Sequence, residues 1–531
     1  MFKTGEIVTI NYQKIRPCLI IKESISDYLV LFLSENTKNY NPDDTCLIID
    51  NANLENGFIE RNYIVQTLQS CLVSKELIVD KLAKVNKNSM EKIIKNQVFL
   101  YTNIYYDHVH KNIDNQFIDG ITRTNYAGRV FDNNELLNLV DASLEFWLTY
   151  GKFSKMFEKQ LSKFLNVKHV FSVNSGSSAN LLSFMALTSD LLENRKIKRG
   201  DEVITVAAGF PTTVAPIIQY GAVPVFVDIE IKSCNIDTNQ LDQALSEKTK
   251  AVFLAHTLGN PFDLYTVKEF CDKHNLWLIE DNCDALGSKY DGKYTGTFGD
   301  IGTSSFYPPH HITMGEGGAV YTNNSKLKQI ILSMRDWGRD CWCESGHDNT
   351  CNKRFSGQYG KLPFGYDHKY VYSHFGFNFK ITDLQAAIGC EQLNKLPGFI
   401  KKRFENHSFL VNGLKDLNNI FILPQQTPLS KPSWFGFLLT IRDNSVFNRN
   451  EIVEYLEAKN IQTRNLFAGN IIRQPCFNNL ISEIDYRVIG NLENTDKIMN
   501  DSFWIGVYPG MRKEQLEFMI KSIWNFIREK K

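Results

Sequence analysis

Two adjacent histidines, His310 and His311, stand between a proline pair and a glycine-rich turn in Ser305-Phe-Tyr-Pro-Pro-His-His-Ile-Thr-Met-Gly-Glu-Gly-Gly318. Imidazole titrates near neutral pH, so a histidine in such a loop is a candidate general base. Upstream, the apolar run Leu276-Trp-Leu-Ile-Glu280 leads into an acid, Asp281, with Cys283 two residues on. Further back, Asn174-Ser-Gly-Ser-Ser-Ala-Asn180 opens a helical segment, where backbone N–H groups, the helix dipole and serine hydroxyls favour a phosphate. Four cysteines, Cys283, Cys341, Cys343 and Cys351, follow the spacing C-x57-C-x-C-x7-C. The last three lie in a polar, turn-rich loop where core packing explains a thiol poorly. An all-thiolate set fits tetrahedral zinc or a [2Fe–2S] cluster, although neither arm has the C-x(2–4)-C knuckle common at zinc sites. The chain has eleven cysteines, an odd number scattered over 531 residues, which argues against a disulfide scaffold. The other seven read as small buried hydrophobes.

The elements that must carry these residues alternate. Lys168–Val173, Glu202–Val206, Val223–Asp228, Ala251–Ala255, Trp277–Glu280 and Gly302–Phe306 are short apolar runs with helix-like segments between several of them. That is the pattern of a mainly parallel sheet buried on both faces. Ligands of such sheets sit at the carboxyl ends of the strands. Ser175, Phe210, His256, Asp281 and Ser305 all fall at or just past those ends. Residues 396–531 mix helices with short strands as an α+β domain, in which Arg464, Asn470 and Arg473 are candidates for a diphosphate.

Before the α/β body, Glu6–Tyr12, Arg16–Lys22, Tyr28–Leu33, Cys46–Asp50 and Tyr63–Gln66 are β-branched runs separated by turn-prone residues, predicting a small all-β barrel over 1–88. Val73–Ala83 has helical spacing. Residues 89–130 read as a connector and arm, 131–395 as the large domain. The formal net charge is zero, so no basic stripe argues for nucleic acid. No run approaches the roughly 20 apolar residues of a membrane span, and the start lacks a signal-peptide pattern. The expectation is a cytoplasmic enzyme.

The ordered set Ser-Gly-Ser-Ser-Ala-Asn, Ala-Gly-Phe-Pro-Thr-Thr, His-Thr-Leu-Gly-Asn-Pro, Glu-Asp-Asn-Cys-Asp-Ala and Gly-Glu-Gly-Gly resembles the DegT/DnrJ/EryC1/StrS sugar aminotransferases. That resemblance implies the aspartate-aminotransferase-like fold (fold type I) and a pyridoxal phosphate cofactor. Asp281 would then pair with the pyridinium nitrogen. Gly176, Ser177, Ser178 and Ser305 would hold the phosphate, and Phe210 would cover one ring face. Asn378 would reach the phosphate of a partner subunit, so a homodimer with shared sites is expected. The opening Gly5-Glu-Ile-Val with Arg16-Pro-Cys-Leu-Ile-Ile, and Val73-Ser-Lys-Glu-Leu77, resemble the PemK/MazF-like barrels, many of them RNA-cleaving toxins. Arg16 would match an active-site arginine of that family, and a docking or regulatory role is the plainer expectation.

One departure decides the chemistry. The family's aminotransferases carry a Schiff-base lysine five residues before Gly-Glu-Gly-Gly, and His310 stands there. No lysine lies between Lys293 and Lys326. Transamination loses its central amine, while an imidazole retains the capacity to move a proton. Pyridoxamine phosphate, held without a covalent bond, then becomes the consistent cofactor for removing a hydroxyl beside the keto group of a sugar. His311 reads as an orienting or packing residue. The histidine, the cysteine spacing and the insertion from Arg354 to His374 together resemble the iron–sulfur dehydrase subfamily, the CDP-6-deoxy-4-keto-glucose 3-dehydrases of 3,6-dideoxyhexose and O-antigen synthesis. This resemblance implies a [2Fe–2S] cluster on the four cysteines and a separate NADH-dependent flavin/iron–sulfur reductase, since the chain has no Gly-x-Gly-x-x-Gly fingerprint. The alternatives are a cluster-free nucleotide-sugar 3-dehydratase, a 4-keto sugar aminotransferase and, from another class, a regulatory or RNA-binding protein led by its N-terminal module.

Overall fold

A computed structural model describes residues 3–530, apart from 5, 13, 24–26, 35–47, 50, 58, 60–62, 75–77, 112–115, 344–345 and 444. The chain forms two compact units, residues 1–114 with 132–140, and residues 115–131 with 141–531.

The first unit is an antiparallel sheet in the order Ile48–Ile49, Tyr63–Ser74, Asp27–Ser34, Lys14–Glu23, Glu6–Tyr12, Ile78–Val85, Leu54–Gly57. Among the described residues its two outer strands pair with no further strand, so the expected closed barrel is instead an open sheet. Closure needs a continuous ladder between the end strands, and these are only two and four residues long. The helix predicted over Val73–Ala83 is also corrected, because the described part of this stretch belongs to two strands. Ala83 and Val85 are buried with Ile7, Leu19 and Leu31, so a period of two prevails over the helical spacing. The helix Lys87–Tyr106 lays Met90 and Ile93 on the same core. The side chain of Arg16 lies outside the described residues.

The second unit holds the predicted α/β body. Its eight-stranded sheet runs Arg487–Val488, Val223–Val227, Glu202–Val206, Thr249–Ala255, Trp277–Asp281, Ile301–Ser305, Gly318–Thr322, His169–Val173. Neighbours are parallel as far as Ile301–Ser305 and antiparallel beyond it. The central strands are buried along their whole length, as their unbroken apolar runs require. A four-stranded antiparallel sheet, Phe421–Ile422, Gly436–Ile441, Ser502–Gly506, Thr463–Arg464, makes the C-terminal layer. The helix Asp383–Leu414 joins the two layers, started by a capping box between Thr382 and Gln385. No helix of the described residues is long and apolar enough to cross a membrane.

Candidate active site and cysteine loop

Two strand-to-helix transitions and one strand-to-loop turn open one cavity of about 660 Å³ at the carboxyl edge of the large sheet. After His169–Val173, Ser175 caps the helix Gly176–Ala186 by accepting from the Ser178 N–H. After Glu202–Val206, Phe210 leads into the helix Pro211–Tyr220. After Ile301–Ser305 the chain turns through Tyr307 and Pro309 to His310. Gly176, Ser177, Phe210, Asp281, Cys283, Ser305 and His310 all line the cavity. A Cβ on Gly176 would lie 2.3 Å from that of Ser305, so only glycine lets the helix start approach this strand end. Ser178 stands one residue further along, its hydroxyl accepting from that of Ser175.

Asp281 is fixed from three sides. One carboxylate oxygen accepts from Asn180 Nδ2 and Thr213 Oγ1, each at 2.7 Å, and the other from the Cys283 N–H at 3.1 Å. With a helix start and two serines at one end, Phe210 on the wall and a buried carboxylate inside, the cavity suits a flat, phosphate-bearing pyridine. The observed cradle at Gly176 and the anchored Asp281 fit that group.

His310 lies against Phe435, ring centroids 5.2 Å apart, and its Nδ1 is 3.7 Å from Asp284 Oδ1. Burial pushes its imidazole down to about 4, the charge of Asp281 acting against this and that of Arg403 adding to it. It is therefore neutral at pH 7 and able to accept a proton. Burial, with the charge of Asp281, raises the Asp284 carboxyl to about 8. Arg403, fully buried, donates to the carbonyls of Pro309, His310, Trp434 and Phe435 and so holds the histidine loop to the C-terminal layer. His311 is buried and donates from Nε2 to the Ser433 carbonyl at 2.7 Å, in keeping with an orienting role.

The cysteines divide. The Sγ atoms of Cys341, Cys343 and Cys351 lie within 4.8 Å of one another. Cys283 is not of that group among the described residues. It lines the active-site cavity, where burial and the charge of Asp281 push its thiol well above its ordinary value. In the loop, His368 Nδ1 lies 3.7 Å from Cys351 Sγ. Of the cysteines read as buried, Cys476 is exposed.

The diphosphate candidates also divide. Arg464 lines the cavity, with its guanidinium 4.1 Å from the Tyr126 ring centroid. Asn470 is buried, capping a short 3-10 turn and donating to Asp496, and Arg473 pairs with the same Asp496. Neither is among the residues lining the cavity. Asn378 accepts from Lys380 Nζ and is not among the residues lining its own chain's cavity. Sequence reasoning did not single out Asn180, Thr213, Asp284, Tyr307, Arg403 or Phe435. The first four lay inside quoted motifs and carried a signal. Arg403 follows Lys401 and Lys402 on a long helix, and nothing in its type distinguishes it from those surface lysines.

A model of the DegT/DnrJ/EryC1/StrS aminotransferase family matches residues 130–524. The lipopolysaccharide biosynthesis protein RfbH of Salmonella typhimurium is 55% identical over 410 residues, 77% of this chain and 93% of that protein. A dTDP-4-dehydro-2,6-dideoxy-D-glucose 3-dehydratase of Saccharopolyspora spinosa is 48% identical over 411 residues, covering 77% of this chain and 88% of its own. Among solved structures, the Escherichia coli GDP-4-keto-6-deoxy-D-mannose-3-dehydratase with bound hydrated PLP superposes with a TM-score of 0.67 at 30% identity, covering 75% of this chain and 98% of that one.

Proposed function

The chain belongs to the DegT/DnrJ/EryC1/StrS aminotransferase family, and on that premise we propose that it is a pyridoxamine-phosphate-dependent 3-dehydrase of a nucleotide-linked 4-keto-6-deoxyhexose, with CDP as the nucleotide, in dideoxysugar and lipopolysaccharide synthesis. The observation that carries this reading is His310, a neutral imidazole in the cavity of Asp281 at the place of the family's lysine. The names of the two 3-dehydratases among the relatives support the reaction class, and the hydrated PLP of the Escherichia coli structure supports the cofactor. Those relatives differ in nucleotide, so the choice of CDP rests on the subfamily resemblance of the sequence.

When bound, pyridoxamine phosphate supplies the amine that joins a keto sugar and a ring that takes up an electron pair. Asp281, fixed by Asn180 and Thr213, presents a carboxylate to the ring nitrogen and favours its protonated form. Gly176, Ser177 and Ser305 receive the phosphate, and a second copy of the chain adds Asn378. His310 accepts a proton at its imidazole and delivers it to the departing 3-hydroxyl. Phe435 restricts the imidazole, and Asp284, protonated below about pH 8, can donate a hydrogen bond beside it. Arg464 is placed for the diphosphate. The reading also includes a [2Fe–2S] cluster on Cys283, Cys341, Cys343 and Cys351 and a separate NADH-dependent reductase. For the N-terminal sheet we assign docking or regulation, which the neutral overall charge favours over RNA cleavage.

The test is His310→Asn in the full-length protein, assayed with pyridoxamine phosphate and CDP-4-keto-6-deoxyglucose. Dehydration should fall by roughly 10²–10⁴-fold, the usual contribution of a positioned base, while the cofactor's absorbance change on binding is retained. Unchanged turnover would remove His310 from its role and the reading with it.

A further inference from the structure

Part of the cavity wall comes from the C-terminal layer and from the arm that precedes the large domain. Tyr126 of the arm and Arg464 of the strand Thr463–Arg464 both line the cavity. The exposed Arg464 guanidinium lies 4.1 Å from the Tyr126 ring centroid and donates from Nη1 to the Thr463 carbonyl at 2.7 Å. Among the described residues Arg464 forms no ion pair, so a cation stands at the cavity with most of its donor fork unused.

The stack is anchored from both sides. Thr124 bridges in parallel to Ile461, its N–H donating to the Asn460 carbonyl at 2.8 Å and its carbonyl accepting from the Gln462 N–H at 2.9 Å. The Tyr126 N–H donates to Gln462 Oε1 at 3.3 Å. A Cβ on Gly506 would lie 2.4 Å from the Tyr126 carbonyl oxygen, so only glycine there lets the arm lie on the strand Ser502–Gly506. The Tyr126 ring meets the buried Trp504 edge to face, centroids 5.3 Å apart at 80°. Trp504 is fixed in turn, its Nε1 donating to the Asn465 carbonyl at 3.0 Å. On the other side Glu457 Oε1 accepts from the N–H and Oγ1 of Thr463, at 2.6 and 2.9 Å. A ring so held presents one face to the guanidinium, which the ring's quadrupole attracts.

We propose that Tyr126 is a positioning residue for the substrate, holding the plane of the Arg464 guanidinium so that its fork meets the diphosphate of the nucleotide-linked sugar. The substrate class rests on the proposed function; the stack stands on the geometry of arm and strand. Arginine grips a phosphate through parallel N–H bonds from one plane, and a free side chain must be ordered at the moment of binding. A guanidinium already stacked on Tyr126 has lost much of that freedom beforehand. The effect belongs to affinity, because the diphosphate is gripped alike before and during the chemical step.

The test titrates CDP by calorimetry into the full-length protein loaded with pyridoxamine phosphate. The proteins are wild type, Tyr126→Phe, Tyr126→Leu, Arg464→Ala and the double variant Tyr126→Leu/Arg464→Ala. Arg464→Ala is expected to weaken CDP by roughly tenfold to a hundredfold. Tyr126→Leu should weaken it by about tenfold, and Tyr126→Phe, which keeps the aromatic face, should bind like wild type. The double variant should bind no more weakly than Arg464→Ala, because without the guanidinium the ring has nothing to position. In turnover the loss should appear in KM, with kcat and pyridoxamine phosphate affinity kept within about twofold. Pentafluorophenylalanine in place of Tyr126 keeps the ring's shape but withdraws its negative face, and should weaken CDP even if Tyr126→Leu fails to fold. Unchanged CDP binding on loss of the aromatic face overturns the proposal. So does an equal loss from Tyr126→Leu with and without Arg464, which would make the ring a contact in its own right. If Arg464→Ala binds CDP like wild type, the proposal falls while a nucleotide-linked substrate stands. Wild type that binds none of CDP, dTDP and GDP removes that substrate from the proposed function, and the proposal with it.

Discussion

The active-site cavity and the cysteine loop each gather groups that do chemistry, and they are built in opposite ways. The cavity sits at the ends of strands buried on both faces, and its polar groups are held by bonds reaching far along the chain. Asp281 is fixed from Asn180 and Thr213, and the carbonyls of His310 and Pro309 are tied to Arg403. The loop lies in an insertion between two helices of the same body, and its bonds are short in sequence, as between Arg354 and Asp367 or His368 and Asp340. A cavity so over-determined can hold groups in unfavourable ionisation states, as Asp284 and His310 show. A locally bonded loop depends instead on whatever its thiols bind. The difference predicts that substitutions in the cavity damage the fold and substitutions in the loop damage occupancy.

The largest effect should come from Arg403→Leu. The variant removes a fully buried cation and strands the four carbonyls it serves, of Pro309, His310, Trp434 and Phe435. Breaking a buried charged arrangement from one side costs roughly 3–5 kcal/mol. Urea unfolding of the cofactor-free protein should show that loss, and pyridoxamine phosphate binding should weaken with it because the His310 loop is no longer anchored. A change below about 1 kcal/mol would show that the cavity is not the rigid partner in this comparison.

How much of this was readable beforehand follows the same division. The parallel sheet was legible because apolar runs buried on both faces leave an unbroken signal, and the cavity-lining Asp281, Ser305 and Phe210 fell at or just past strand ends, where ligands of such sheets sit. Arg403 was not legible, since its burial depends on packing between two layers that sequence spacing does not encode. The N-terminal closure was misjudged because a row of short strands reads alike whether or not its edges meet. Cys283, two residues after Asp281, is placed by the sheet in the cavity, while the other three cysteines of the set gather on the insertion. Asn470 and Arg473 have the right chemistry for a diphosphate, but Asp496, on a later helix, engages both.

A smaller and more discriminating effect is expected from Asp284→Asn. In the folded protein the carboxyl titrates at about 8, far above its unfolded value, mainly through burial. The stability it contributes is complete below pH 4 and is lost as the pH rises toward 8, by up to about 1.4 kcal/mol per pH unit. His310 has the opposite sign, because its depressed value makes the fold lose stability as pH falls from about 6.5 toward 4. Comparing wild type with Asp284→Asn leaves the imidazole in both proteins and largely cancels it. The stability of wild type relative to the variant should therefore decline steadily between pH 5 and 8. A flat difference across that range would mean that Asp284 is ionised throughout, with Arg403 as its counter-ion.

The smallest effect should come from the loop. Arg354 makes a forked pair with Asp367, the residue that caps the turn bearing His368, and it also reaches Asp348. The side chains of the pair are 29% and 21% exposed, within reach of solvent, so removing it in Arg354→Ala should shift the urea midpoint only slightly. What the side chain controls is the position of His368, whose own N–H is bonded to the Arg354 backbone and survives the substitution. Release to a chelator of the metal proposed for the loop should accordingly quicken by only a few-fold, while pyridoxamine phosphate binding in the cavity stays unchanged. If Arg354→Ala instead lowered global stability as Arg403→Leu does, the loop would be part of the cooperative core, and the contrast drawn between the two regions would fail.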